Sequence, residues 1–160
     1  MIKYFEFESE IEKIENIISQ FNNNKELNSE KIKKLNKKKD DLYKKIYSNL
    51  NPWQKVQVSR HGERPHTLDY VKNIFQDIVL LHGDKKYADD NAIVGGIGKI
   101  AEKSVFFVGT EKGNTMETRI KHNFGMARPE GYRKVQRLLK LAEKFKLPLI
   151  SFVDTAGAFP

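Results

Sequence analysis

The sequence predicts an α/β fold, because segments with strand-like and helix-like apolar patterns alternate along its second half. Two apolar runs, 92–100 and 104–109, are separated by a short turn and are typical of paired strands. Residues 131–145 carry a helical apolar stripe, and a nearly all-apolar strand, 149–153, follows Pro148. The order strand, strand, helix, strand indicates a layered α/β fold with some parallel pairing.

Composition limits the classes of function. The chain has 160 residues, with 39% hydrophobic and 31% charged residues, about the size of one domain. It contains no cysteine, which excludes disulfides, thiolate catalysis and cysteine-ligated metals. No run of 18 apolar residues is present, and the acidic segment 1–15 resembles neither a signal nor a transit peptide. These features predict a cytoplasmic protein.

The positive charge is unevenly distributed. The net charge is +8, and residues 111–160 hold ten basic against five acidic groups, mostly between Arg119 and Lys146. Such a stretch suits a polyanion, which includes a nucleotide-like cofactor, a nucleic acid or an acidic partner. The alternative is a solvated helix face.

Residues 8–50 contain no glycine or proline and predict an antiparallel helical hairpin. Asn22–Asn24 interrupt the pattern, and Asn28 or Ser29 is a candidate cap for the second helix. Lys39 stands where the second apolar seam calls for an apolar residue. The two seams consist of Ile11, Ile14, Ile18 and Phe21, and of Ile32, Leu35, Leu42 and Ile46. Because a short hairpin buries little by itself, it is expected to pack on a body or on a partner subunit.

The segments between these elements have weaker patterns. Residues 51–66 are interpreted as a connector, 82–91 as a polar loop, and 110–130 as a mixed loop with one helical turn. Thr67 is the predicted cap of a helix that runs through Phe75, with Asp69 in its first turn. The helix over 131–145 divides into an apolar stripe (Val135, Leu138, Leu139, Ala142, Phe145) and a basic face (Arg133, Lys134, Arg137, Lys140, Lys144).

Two glycine motifs resemble nucleotide-binding sequences only in part. Asp154-Thr155-Ala156-Gly157 follows an apolar strand, as a GTPase switch segment does, but the phosphate loop that this function requires is missing. The nearest candidate, 95–99, has Ile93 and Ile100 where Gly and Ser or Thr are needed. This glycine run leads into a strand, so we interpret it as a place where another segment approaches the backbone closely.

The four histidines (His61, His66, His82 and His122) lack the spacing of a metal site, and no G-x-S-x-G elbow is present. Residues 124–134 form the most distinctive segment, with glycines around Arg128-Pro129 and a helix directly after them. The free amides of a helix N-terminus, together with Arg128, Arg133 and Lys134, suit the wall of a pocket for an anion or an acyl carbonyl. The alternative is a capping loop with solvated basic residues.

Five blocks of sequence resemble the alpha subunit of the bacterial acetyl-coenzyme A carboxylase carboxyltransferase. They are Arg64-Pro65-His66-Thr67-Leu68-Asp69-Tyr70, the segment 87–96 (YADDNAIVGG), Asn123-Phe124-Gly125-Met126, Pro129-Glu130-Gly131-Tyr132-Arg133-Lys134, and the segment 154–160 (DTAGAFP). Their order and spacing match, as does the helical hairpin. The resemblance covers essentially the whole chain, and implies that it corresponds to the first half of the family's sequence.

The resemblance implies a crotonase-like fold, incomplete here, with ββα units and the helical hairpin. Residues 1–50 would be the hairpin arm, and 51–160 the first part of the carboxyltransferase domain. The implied reaction moves a carboxyl group from carboxybiotin, borne on a carrier protein, to acetyl-CoA and gives malonyl-CoA for fatty-acid biosynthesis. The implied partners are a zinc-bearing beta subunit in an α₂β₂ assembly, the biotin carboxyl carrier protein and biotin carboxylase. No metal in this chain, no membrane and no nucleic acid are implied.

The resemblance also assigns site residues, although it identifies no catalytic side chain in this half. A floor segment of the carboxybiotin and acyl-CoA site would comprise Asp154, Thr155, Gly157 and Ala158, and an adjacent site loop would comprise Phe124, Gly125, Arg128, Pro129 and Gly131. Backbone amides would stabilise a developing oxyanion there. Ala127 and Ala156 stand where the family commonly has proline, and Phe159 where it has tyrosine. The chain alone is expected to be inactive, and the alternative function is a basic fragment that binds an acidic partner or nucleic acid.

Overall fold

The computed structural model describes residues 4–21 and 29–160. The chain divides into two compact units, Met1–His61 and Gly62–Pro160, which we call the N-terminal unit and the C-terminal unit. The predicted division into a hairpin arm (1–50) and part of a carboxyltransferase domain (51–160) concerns function and stays a prediction.

The N-terminal unit contains the predicted hairpin. Helix α1 spans Ser9–Phe21 and buries Ile11 and Ile14, and helix α2 spans Ser29–Ser48. The Tyr47 hydroxyl donates to Glu8 Oε1 at 2.5 Å, and Lys39 Nζ lies 3.1 Å from Glu15 Oε2. Glu8, directly before α1, contacts Tyr47 at the end of α2, whereas Glu15 within α1 contacts Lys39 in the middle of α2, so the two helices run antiparallel. Ser29 begins α2, whereas Asn22–Asn24 and Asn28 lie outside the described residues.

The prediction of a connector over 51–66 is wrong for its first half, where helix α3 spans Pro52–Ser59. Asn51 caps this helix: its Oδ1 accepts from the Gln54 amide at 2.8 Å, and Gln54 Oε1 accepts from the Asn51 amide at 2.9 Å. With Pro52 at the first helical position, Asn-Pro-x-Gln is a complete helix-start signal. The segment has no apolar stripe, so apolar periodicity does not predict this helix.

The C-terminal unit is built on a four-stranded sheet in the order β1-β2-β3-β4. The strands are β1 (Gln76–Leu80), β2 (Ile93–Ile100), β3 (Lys103–Thr110) and β4 (Leu149–Phe152). The first two pairings are antiparallel, and β3 and β4 are parallel, with Phe106 opposite Leu149. The predicted α/β class, with two paired strands, a helix and a parallel strand, is confirmed.

Strand β1 was not predicted, and it explains the glycines of β2. A Cβ on Gly96 would lie 2.2 Å from the Val79 carbonyl oxygen, and one on Gly95 would lie 2.5 Å from Leu138 Cδ1. The 95–99 segment lies inside a strand and not in a phosphate-binding loop, and Lys99 Nζ donates to Asp77 at 2.7 Å. The interpretation of these glycines as sites of close approach is confirmed.

Helices cover both faces of β3. Helix α4 (Thr67–Ile74) packs Val71 and the following Phe75 against Val105 and Phe107 on one face. Helix α6 (Pro129–Phe145) packs Leu138 and Ala142 against Phe106 and Val108 on the other. This alternation along β3 is the period-two pattern of a central strand buried on both sides.

Several local predictions need correction. His66, not Thr67, is the cap residue of α4, and the Thr67 hydroxyl donates instead to the Thr110 carbonyl at 2.5 Å. Leu139 and Phe145 are exposed, because the stripe of α6 that faces the sheet is narrower than predicted. Ser151 in β4 is exposed as well. The loop 110–130 contains helix α5 (Met116–Lys121) and a 3-10 turn, Asn123–Gly125.

Candidate active site at the strand ends

The candidate site lies at one edge of the sheet. Because β3 and β4 are parallel, their carboxyl ends meet at the same edge, which is where ligands of α/β sheets commonly bind. Three segments leave from this edge or return to it: residues 110–112 after β3, the 3-10 turn with the start of α6, and residues 153–160 after β4.

The end of β3 holds the first residue of the floor segment. The Asp154 amide donates to Thr110 Oγ1 at 2.7 Å. Its carboxylate Oδ1 accepts from Lys112 Nζ at 2.8 Å, and both side chains are partly buried. One hydrogen bond therefore holds the backbone of Asp154, and a charge-assisted hydrogen bond holds its side chain.

The floor segment and the site loop, which the sequence predicted as neighbours, are in contact. The Thr155 hydroxyl donates to the Gly125 carbonyl at 2.6 Å, and the Phe159 amide donates to the Ala127 carbonyl at 3.3 Å. The Arg128 guanidinium lies 5.0 Å from the centre of the Phe159 ring, within the range of a cation–π contact. Two residues outside the predicted set, Ala127 and Phe159, thus take part in this contact.

The turn before α6 has an unusual backbone. Asn123, Phe124 and Gly125 have φ values of 45°, 54° and 75°, and Phe124 is exposed. Left-handed conformations are costly for a bulky residue and concentrate at functional sites. A Cβ on Gly125 would lie 2.6 Å from Lys112 Cγ, so the lysine that holds Asp154 also excludes any side chain at Gly125.

The remaining predicted residues fall into two groups. A Cβ on Gly157 would meet no atom within 4 Å, and Ala158 is exposed beside it. Pro129 is the first residue of α6. Gly131 lies against the sheet side, where its Cβ would come within 2.3 Å of Asp90 Oδ2. Gly131 therefore has a packing role. Among the described residues, it makes no contact with the floor segment.

The predicted charge at the N-terminus of α6 is only partly present. Asp90 Oδ2 accepts from the Arg128 amide at 2.7 Å, so a carboxylate of the chain already occupies that helix end. Arg133 Nε donates to Asp84 at 2.7 Å, and Lys134 is buried. Of the three predicted cations, Arg128 alone has its guanidinium at the site.

A set of buried polar residues next to the site was not predicted from the sequence. Glu111, directly after β3, accepts from the Leu68 amide at 2.9 Å and from the Gly113 amide at 2.8 Å, and lies 3.2 Å from His66 Nδ1. Lys134 Nζ donates to the Asp90 and Ile93 carbonyls at 2.8 and 2.7 Å, and to the Asp89 carboxylate. The sequence does contain one sign of these residues: Glu111 and Asp90 are carboxylates at the ends of apolar strands, where a buried charge requires partners.

Two aspartates of the loop 82–91, Asp84 and Asp89, have lowered pKa values. Backbone amides, that of Tyr87 above all, and Arg133 hold the pKa of Asp84 well below its usual range. Partial burial raises the pKa of Asp89, but hydrogen bonds from Lys134, the Gly83 amide and His82 outweigh it and lower the pKa to about 2. Both carboxylates are therefore charged at neutral pH and anchor the loop 82–91 to α6.

Two absences apply to the described part of the chain. Among residues 4–21 and 29–160, no group of three or more His, Asp or Glu side chains is arranged to hold a metal ion. Within the same ranges, no helix is both long and apolar enough to cross a membrane.

The structure defines an α/β domain with a candidate site in the loops at the carboxyl end of a parallel strand pair. A family model described as acetyl co-enzyme A carboxylase carboxyltransferase-like matches residues 4–160. The chain belongs to this family.

Curated relatives agree with the family. Proteins named acetyl-coenzyme A carboxylase carboxyl transferase subunit alpha are 54% identical in Rhodospirillum centenum (82% of this chain, 42% of the relative) and 48% identical in Dichelobacter nodosus (99% and 51%). One from Rhizorhabdus wittichii is 46% identical (100% and 52%). The chain spans about half the length of the curated relatives it matches.

Among solved structures, the beta subunit of geranyl-CoA carboxylase from P. aeruginosa matches with a TM-score of 0.39 and 20% identity. That match covers 99% of this chain and 27% of that one.

Proposed function

We propose that this chain supplies part of the active site of an acetyl-CoA carboxylase carboxyltransferase. The reaction transfers the carboxyl group from carboxybiotin on a carrier protein to acetyl-CoA and gives malonyl-CoA for fatty-acid biosynthesis. Family membership supports the reaction class. The observation that carries the site is the contact between floor segment and site loop, beside the open backbone at Gly157.

The proposed partners follow from the same relationship. They are a zinc-bearing carboxyltransferase beta subunit in an α₂β₂ assembly, the biotin carboxyl carrier protein and biotin carboxylase, all in the cytoplasm. The names of the relatives, which specify a subunit alpha, support at least one further type of subunit. We assign the zinc to the beta subunit and none to this chain.

Arg128 is the proposed anchor for a negatively charged group of the substrate. Its guanidinium lies at the site, and its position over the Phe159 ring limits the directions in which it can point. A fixed cation near the reacting carboxyl group stabilises negative charge without reorganisation during the reaction. Phe124, an exposed residue of the site loop, would supply an apolar wall.

The floor segment is proposed to admit the substrate close to the backbone. Gly157 has no side chain, and the space where a Cβ would lie is empty, so a ring or a thioester can approach its peptide groups. Thr155 fixes this backbone by its bonds to Gly125 and to the Gly157 amide. Biotin, when bound, supplies the carboxyl group, and a small polar ring with an anionic substituent fits this combination of open backbone and one arginine.

The test is a malonyl-CoA formation assay. The chain is mixed with the beta subunit and carboxylated carrier protein, and co-elution on a sizing column is read from the same sample. The same assay is run on this chain extended to the length of its relatives. We expect co-elution, with turnover in the extended form. In that form, Arg128→Ala should lower kcat/KM about 10- to 100-fold, the usual effect of losing a charged hydrogen bond.

Lys140→Ala is the matched control, because Lys140 is an exposed cation of α6 that makes no contact with the site loop among the described residues. It should change kcat/KM less than about twofold. Equal losses in the two variants would contradict the role of Arg128. An extended chain that binds the beta subunit but forms no malonyl-CoA would contradict the proposed reaction.

The structure gives no support to the alternative of a basic binding fragment centred on Arg119–Lys146. Arg133, Lys134 and Arg137 of that stretch bind carboxylates or carbonyls of the chain itself. Arg119 Nε likewise donates to the Gly113 carbonyl at 3.3 Å.

A further inference from the structure

Helix α2 carries a regular row of exposed lysines. It contains eight lysines and three acidic residues. Lys31, Lys38 and Lys45, here called the lysine strip, recur every seventh residue, about 10.5 Å apart along a helix. They directly precede Ile32, Lys39 and Ile46, so the strip flanks the seam at the position that sets partner choice in coiled coils.

An open groove lies beside one end of this strip. A cleft of about 530 Å³ has the apolar residues Phe7, Leu42 and Ile46 in its lining, with Lys45 on the α2 side and Glu6 and Glu10 on the other. A second cleft, of about 360 Å³, shares Glu6, Phe7 and Gln54 with the first and adds Trp53, which is 66% exposed. The shared residues make the two clefts one groove within the N-terminal unit.

The edge of α1 across the groove from Lys45 is acidic at Glu10 and apolar further along the helix. Ile17, seven residues after Glu10, lies on the same edge of α1 and is 40% exposed. The groove therefore has an apolar lining, with Lys45 on one edge and Glu6 and Glu10 on the other, and the lysine strip continues from Lys45 along α2 beyond the groove. Exposed aromatic and aliphatic side chains next to organised charge are typical of a protein interaction surface.

We propose that this groove docks an amphipathic α-helix of a partner protein. The apolar face of that helix lies on Phe7, Leu42 and Ile46, and carboxylates on one edge face the lysine strip. The seven-residue spacing matches side chains on one edge of a second helix, which makes charge complementarity possible along the whole strip. Trp53 is covered at the end of the groove.

The charge pattern favours a helix over other polyanions. A nucleic acid carries phosphates on every side and would bring them against Glu6 and Glu10 as well as the lysines. An anionic membrane surface would meet the same two glutamates. A helix can present carboxylates on one edge and basic residues on the other, and so satisfies both rims at once.

The experiment uses the 160-residue chain and a synthetic 28-residue helical peptide. The peptide has Leu at heptad positions a and d, Glu along one edge and Lys along the other. Binding is followed by the emission of Trp53, the single tryptophan of the sequence, and by anisotropy of a labelled peptide. We expect saturable binding with a blue shift of Trp53, because docking removes its indole from water.

Charge-reversal variants distinguish specific contacts of the lysine strip from attraction of the peptide to the net charge of the chain. K31E/K38E/K45E should raise the Kd at least about 10-fold, the scale set by several adjacent charge contacts. K33E/K37E/K44E changes the charge equally on exposed lysines of the side of α2 away from the seam, and should change the Kd less than about threefold. Circular dichroism confirms that both variants keep the hairpin.

Three results would overturn the proposal. One is equal weakening by the two triple variants, which would reduce the strip to net charge. Another is equally tight binding of a control peptide with Lys on both edges. The third is tighter binding of a 20-nucleotide single-stranded DNA or of phosphatidylserine vesicles, lost in the strip variant, which would assign the strip to a different class of partner.

Discussion

Helices α2 and α6 are both rich in lysine and arginine, yet the structure uses their charges in opposite ways. Helix α6 has five basic residues and α2 has eight. In α6, Lys134 is 2% exposed and three of the five cations bind acceptors of the C-terminal unit. In α2, Lys39 alone forms an ion pair among the described residues, and the other seven lysines are exposed.

The difference comes from what lies next to each helix. Helix α6 runs beside the loop 82–91, whose carboxylates Asp84 and Asp89 and carbonyls of His82 and Gly83 accept its charged hydrogen bonds. Helix α2 lies against α1, which has three acidic residues for the eight lysines of α2, and Glu15 alone of these three forms an ion pair with α2 among the described residues. Net charge along a sequence therefore says little about available charge, because nearby acceptors decide which cations reach solvent.

The largest difference between the two helices is expected when Lys134, the most buried cation of α6, is replaced. Lys134→Met should lower the free energy of unfolding by about 3–5 kcal/mol, because Asp89 and the Asp90 and Ile93 carbonyls lose their common donor. Urea unfolding measures the change. Lys140→Met, an exposed change in the same helix, should cost less than about 0.5 kcal/mol. Similar costs for both would show that α6 does not depend on the buried lysine.

A smaller effect is expected where α6 begins. Gly131→Ala places a methyl group 2.3 Å from Asp90 Oδ2, and overpacking of this kind costs about 1–3 kcal/mol. Thermal unfolding followed by circular dichroism measures it. Gly157→Ala, which enters open space, serves as the control and should leave the melting temperature unchanged within about 1 °C. An unchanged melting temperature of Gly131→Ala would mean that the Asp90 side chain can move aside without loss of stability.

Acid should destabilise the surroundings of α6, because Lys134 of this helix is paired with the Asp89 carboxylate. The folded pKa of Asp89 is lowered to about 2, so its stabilisation is present above the unfolded value near 4 and is lost as the pH falls from about 4 to 2. Hydrogen exchange at pH 4, 3 and 2 should show growing loss of protection in β2 and α6. Since Lys134 is a main cause of the lowering, Lys134→Met should weaken this dependence. An unchanged pH profile in that variant would contradict the assigned cause.

The smallest effect is expected in α2. Replacing Lys33, Lys37 and Lys44 together with Gln should change the free energy of unfolding by less than about 0.5 kcal/mol, because their charges are solvated. Urea unfolding at low and high salt measures it. A destabilisation above about 1 kcal/mol, lost at high salt, would show that these lysines stabilise the hairpin after all.

The sequence predicted elements with clear periodicity and missed those whose stability comes from partners. Helices α1, α2 and α6 and strands β2, β3 and β4 follow from their apolar spacing. Strand β1 was missed because its residues are exposed and it depends on pairing with β2. Helix α3 was missed because its only signal is the cap at Asn51.

The candidate site was predicted as two sequence segments, and the structure shows how they meet. The Thr155–Gly125 contact joins residues 30 positions apart, and the Lys112–Asp154 pair joins residues 42 positions apart. Periodicity carries no information about such distances. The sequence left two interpretations of Arg133 and Lys134 open, a pocket wall or solvated residues of a capping loop, for the same reason. Their acceptors Asp84 and Asp90 lie in a loop more than 40 residues earlier.

The three successive left-handed residues Asn123, Phe124 and Gly125 give the site loop a store of conformational energy. Two of them are not glycine, and each such residue costs about 1–3 kcal/mol that the surrounding bonds must offset. A ligand that lets this backbone relax binds more tightly by the energy released, and one that requires it as it stands gains nothing. Affinity at the strand ends is therefore coupled to the shape of one short turn, and the tightest ligand need not be the one that touches the most atoms.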